Sequence, residues 1–90
     1  MLDDIDLLKR RIRWRAHHRG TKEADMMIGG FCDAHIDRWG PDEIGWFEKL
    51  LEEQDVDIMA WAMGRGEPPE KFKGALLDAM LKLDYVKVAK

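Results

Sequence analysis

The chain has 90 residues, of which 46% are apolar and 37% charged, with a net charge of −3. A single domain of that size buries only about 60–65% of its unfolded surface, which leaves little room for an enclosed substrate cavity. The acidity argues against general nucleic-acid binding. One cysteine permits no internal disulfide, and uncharged runs of at most seven residues fall short of the about 20 that a membrane span needs.

The apolar pattern is helical throughout, with no strict alternation long enough for a strand. A first helix is predicted over about residues 4–18, with Ile5, Leu8, Ile12 and Ala16 as its core stripe and Leu7 and Trp14 widening it. This segment is basic: seven Lys or Arg side chains and no acid lie between Lys9 and Lys22. Gly20 reads as its C-terminal cap. A second helix follows over about residues 22–38, with Ala24, Met27, Ile28, Phe31 and Ala34 inward. Gly29-Gly30 inside it marks either a close helix–helix approach or a locally weak helix.

Trp39-Gly40-Pro41-Asp42-Glu43 reads as a break and a restart. Gly40 takes the N-cap, Pro41 the first helical position and Glu43 the acidic first turn. The third helix, over about residues 42–54, buries Ile44, Phe47, Leu50 and Leu51. Asp55 is expected to cap a short fourth helix whose buried face is Ile58, Trp61 and Ala62, ending at Gly64. Arg65-Gly66-Glu67-Pro68-Pro69 is the clearest loop. A fifth helix over about residues 69–83 uses Phe72, Leu76, Ala79, Met80 and Leu83, and residues 84–90 read as a tail. The expected fold is therefore all-α, a small five-helix bundle in one domain spanning residues 1–90, ordered over about 4–83.

Catalytic and metal chemistry find little support. Cys32 sits in an apolar run and should be an inert thiol, the chain has no serine, and no glycine-rich phosphate loop is present. Cys32 and His35 share a helix face, but no tight ligand spacing accompanies them. Trp14, Trp39 and Trp46 can lie at the flanks of their stripes, where Trp beside Arg suits a protein-binding surface. Arg19, Gly20 and Glu23 form an Arg-Gly-x-x-Glu element between the first two helices. It puts one cation and one anion at a bundle end, although helix-dipole capping explains both charges equally well.

This element, with Asp55, Asp57, Trp61 and Gly64 and the Leu50-Leu51-Glu52-Glu53 segment before them, resembles the succinate dehydrogenase flavinylation-factor (SdhE) family. Phe31 and Glu43 also stand where members carry such residues, and the similarity runs over about residues 8–69. Two positions depart from the pattern: His18 where many members have a second arginine, and Gly40 where a serine often caps the third helix.

The resemblance implies a five-helix domain that is not itself an enzyme. It implies binding to the flavoprotein subunit of succinate dehydrogenase, and often that of fumarate reductase, to promote covalent attachment of its FAD. FAD is then the client's cofactor, with none held stably by the factor. The contact residues expected on that docking surface are Arg19, Gly20 and Glu23, with Arg15 and His18 at its periphery, and none of them is catalytic. The lone cysteine, the short apolar runs and the acidic N-terminus Met1-Leu2-Asp3-Asp4 read as a bacterial cytoplasmic protein without membrane insertion. The alternative is a nucleic-acid-binding or antitoxin-like regulator that uses the basic first helix.

Overall fold

A computed structural model describes residues 4–84, and every regular element among them is helical. Helix α1 is Asp4–Ala16. Helix α2 runs without a break through α-helical Lys22–Ala24, a π-helical stretch Asp25–Gly29 and α-helical Gly30–His35, and a 3-10 turn Ile36–Arg38 follows it. Helices α3 (Pro41–Leu51), α4 (Asp55–Ala62) and α5 (Ala75–Leu81) complete the fold, with a second 3-10 turn at Glu70–Phe72. The molecule is 21 Å across its thinnest axis, about two helix diameters, so the helices form two layers over one core. Helix α1 packs on α2 and α3, and α5 packs on α4.

The core follows the stripes read from the sequence at Ile12, Ala16, Ala24, Ile28, Phe31, Ile44, Phe47, Leu50 and Ile58, all at most 1% exposed. Aromatic rings tie the layers together. Phe31 lies 5.6 Å from Trp39 and 6.0 Å from Phe47, while Trp46 meets Phe72 edge-on at 6.3 Å and donates its indole N–H to the Phe72 carbonyl. Trp39, expected at a flank, is buried by this cluster at 6% exposure. Leu7 and Trp14 do not widen the core: they are 48% and 63% exposed, because α1 buries only one narrow face. Ala34 is exposed as well.

Helix ends differ from expectation for local reasons. Helix α1 stops at Ala16, two residues early, where the Trp14 carbonyl accepts from Nδ1 of His18 at 2.6 Å. Gly20 is consequently a turn residue rather than a cap. Helix α4 is preceded by Gln54, since the Asp55 carboxylate is engaged elsewhere. The predicted fifth helix is split, because Gly74 at φ +148° separates the turn at Phe72 from α5. Leu77 joins the α5 face that Leu83 leaves, and Leu83 is exposed. Gly40 and Glu43 do as expected: the Glu43 carboxylate accepts from the Gly40 N–H at 2.7 Å.

Gly29 has a definite reason to be glycine. A methyl group there would stand 2.6 Å from Nδ1 of His17, so the imidazole just beyond α1 packs against α2 in space that a Cβ would occupy. Nε2 of His17 then donates to Asp33 at 2.9 Å, and Nε of Arg13 meets the same carboxylate at 3.4 Å. The expected tail lies, but for Asp84, outside the described residues.

Candidate docking site

The turn between α1 and α2 is held by one part-buried side chain. Arg19 is 11% exposed, and its guanidinium donates Nε to Asp55 at 2.6 Å, one terminal nitrogen to the Leu51 carbonyl at 2.9 Å and the other to the Glu53 carbonyl at 2.9 Å. Leu51 ends α3, so these bonds satisfy a carbonyl left without an intrahelical partner, and the cation sits at the negative end of the helix dipole. The Arg19 backbone N–H donates to Asp25 at 2.6 Å, which locks the start of α2 to the same point. Thr21 caps α2, accepting from the Ala24 N–H at 3.1 Å.

Held in this way, the next residues stand clear of the fold. Gly20 is exposed at φ +115°, with nothing within 4 Å of where its Cβ would be, and no described residue bonds its N–H or carbonyl. Glu23 is exposed in the first turn of α2, and no cation among the described residues pairs with it. Arg15 reaches Glu52 at 3.2 Å on the surface, a pair worth at most about 1 kcal/mol. His18 stacks on the indole of Trp14, with ring centroids 4.0 Å apart and 14° between planes.

The five residues expected at the site thus divide. Gly20 and Glu23 face solvent on the turn, Arg19 faces inward and positions it, Arg15 ties α1 to α3, and His18 lies on the outer face of α1. Asp25 was the missed member of the unit, and Asp55, read as a helix cap and a position of the family resemblance, was not connected to Arg19. Their signal in the sequence is an aspartate two residues after Glu23 and another at a helix start.

The basic run is partly neutralised by its own fold. Arg13 faces Asp33 and Asp37, Arg15 faces Glu52, and Arg19 faces Asp55. That leaves fewer free cations for a polyanion than the sequence suggests. Among the described residues, no three His, Cys, Asp or Glu side chains gather where they could share a metal ion.

Cys32 is fully buried, and burial pushes its thiol up to about 12 from an ordinary 9.0, with the neighbouring Asp33 charge adding to the effect. The folded chain therefore keeps this proton at pH values where the unfolded chain has lost it. Stability should fall as pH rises from about 9 towards 12, by up to about 1.4 kcal/mol per unit. Urea unfolding at about pH 8 and about pH 10.5 measures the loss, and Cys32→Ala should abolish this part of it.

No helix among the described residues is long and apolar enough to cross a membrane. Residues 10–84 match the family model described as flavinator of succinate dehydrogenase. The FAD assembly factor SdhE of Acetobacter pasteurianus is 36% identical over 80 residues, which cover 89% of this chain and 73% of that protein. The mitochondrial succinate dehydrogenase assembly factor 2 of Cryptococcus neoformans is 32% identical, over 89% of this chain and 46% of its own length. That of Schizosaccharomyces pombe is 31% identical, over 78% and 50%. The matches thus span about half the length of these two mitochondrial relatives. With 75 of its residues inside that family model, the chain belongs to the family described as flavinator of succinate dehydrogenase.

Proposed function

We propose that this chain is a non-catalytic maturation factor of the bacterial cytoplasm. It binds the flavoprotein subunit of succinate dehydrogenase, and that of fumarate reductase where one is present, and promotes covalent attachment of FAD. The cofactor stays with the client. The reading is supported by family membership, and on this molecule by one observation: Arg19 spends its guanidinium inside the fold to hold Gly20 and Glu23 outside it.

Attachment replaces a C–H bond of the flavin's 8α-methyl group with a bond to a histidine nitrogen of the client. The methyl group and the imidazole each give up a proton, and negative charge builds on the ring as it takes up the electron pair. The reduced flavin is then reoxidised by a two-electron acceptor such as dioxygen or a quinone. Holding such groups at attack distance lowers a barrier by several kcal/mol, roughly 7–11 at the extreme, without any reacting atom from the factor. A rigid turn suits that task, since little conformational entropy is lost when it docks. Gly20 lets a partner backbone approach closely and offers an N–H and a carbonyl that no described residue bonds. Glu23 supplies an anion for a charge-assisted hydrogen bond across the contact. Arg15 and His18 lie at the margin.

Co-expression with the flavoprotein subunit tests the reading. Covalent flavin, read as fluorescence of the subunit in a denaturing gel, should depend on this chain. Glu23→Ala should reduce it several-fold without altering the helical content of the isolated domain. Equal fluorescence with and without the chain refutes the proposed role, and undiminished fluorescence with Glu23→Ala removes Glu23 from the contact.

A further inference from the structure

Beside the turn lies a groove of about 270 Å³ whose walls are mostly methionine. Met26 and Met27 come from the π-helical stretch of α2, Met59 from α4 and Met63 from the residue that caps it, and Leu83 closes one side. Met26 and Met63 are 52% and 59% exposed, so the apolar lining is open to solvent. Methionine is unbranched and polarisable, and surfaces built from it adapt to the side chain they receive. An extra residue per turn in a helix is itself unusual and occurs often at functional positions. Here that stretch carries two of the lining residues.

Charge narrows the occupant. Among the described residues Glu23 alone is charged in the lining, it lies at the rim, and no described cation pairs with it. The matching ligand is therefore a large apolar side chain with a cation beside it. Glu23 belongs both to this rim and to the exposed turn, so groove and turn form one continuous surface.

We propose that the methionine groove receives an apolar side chain of the flavoprotein subunit while Glu23 pairs with an adjacent lysine or arginine of the same segment. This rests on the reading of the turn as the docking element and extends it to a second anchor point. The turn sets the approach of the client, and the groove fixes its register. Burying an apolar anchor in such a pocket is the kind of contact that dominates interface energetics.

The test uses the full chain with its methionine methyls labelled with carbon-13, titrated with the subunit purified without covalent flavin. The methyl signals of Met26, Met59 and Met63 should shift, while that of Met80, buried in the core at 0% exposure, should hold still. Met26→Asp combined with Met63→Asp, both at exposed positions, should weaken capture by about tenfold or more. The double variant should keep its melting temperature.

Groove methyls that stay unmoved in a complex still lost with Gly20→Arg would overturn the groove and leave the turn standing. A chain that captures no subunit at all would overturn both. If removing residues 85–90 alone shifts the same methyls in the free chain, its own C-terminus is the occupant and the proposal fails.

Discussion

Replacing Arg19 with alanine is expected to lower folding stability by about 3 kcal/mol, a large share of what a domain of this size has. Three bonds disappear at once: those to Asp55, the Leu51 carbonyl and the Glu53 carbonyl. Asp55 is then left 23% exposed without its cation, and the last carbonyl of α3 loses its cap. Arg19→Lys should recover little, because a single ammonium cannot place three donors where the planar guanidinium does.

Urea unfolding of the two variants, of Asp55→Ala and of the double variant Arg19→Ala with Asp55→Ala gives the measurement. Arg19→Ala and Asp55→Ala should be non-additive by 1 kcal/mol or more, as expected for groups in one network. A loss under about 1 kcal/mol for Arg19→Ala would show that the turn is not held by this side chain. Client capture should fall too, even at temperatures where the variant is folded, since the Gly20 turn has lost its anchor.

Arg19 also shows where reading the sequence stopped short. The core was legible because it repeats: Ile12 and Ala16, Ile28 and Phe31, Ile44 and Phe47 recur at helical steps, and the structure buries all of them. The Gly40-Pro41-Glu43 start was legible because each residue acts within four positions of the others. The Arg-Gly-x-x-Glu turn could be located in the same way, but the direction of its arginine could not. Asp55 lies 36 residues from Arg19, and only the packing of α1 against α3 brings them together.

The groove was hidden for a related reason. Met26 and Met27 are neighbours in sequence, but Met59 and Met63 come from another helix, and no local pattern pairs the two sets. The π-helical stretch is equally silent, because an apolar run with two glycines suits an ordinary helix as well. Gly29 was ambiguous until His17 was found against it. Trp14 went the other way: its spacing fits the stripe of α1, yet the narrow buried face leaves it in solvent.

Gly20→Arg is expected to remove client capture altogether at concentrations where the parent saturates, a loss on the order of a hundredfold or more. Two effects contribute. At φ +115° any side chain strains the backbone, by about 1–3 kcal/mol, whatever space surrounds it. Because nothing within the fold lies within 4 Å of the added Cβ, the arginine itself displaces no core residue, and the isolated variant should remain helical by circular dichroism. Its bulk instead fills the space through which a partner backbone must come.

Gly20→Ala separates the two contributions, since it carries the same strain with a single methyl group. A steep fall from glycine through alanine to arginine assigns the loss to close approach. Equal losses for alanine and arginine assign it to the shape of the turn, and the backbone conformation at residue 20 becomes the feature the client reads. Full capture by a folded Gly20→Arg chain would remove this corner of the molecule from the interface, and Glu23 and the groove beside it would have to engage the client from another side.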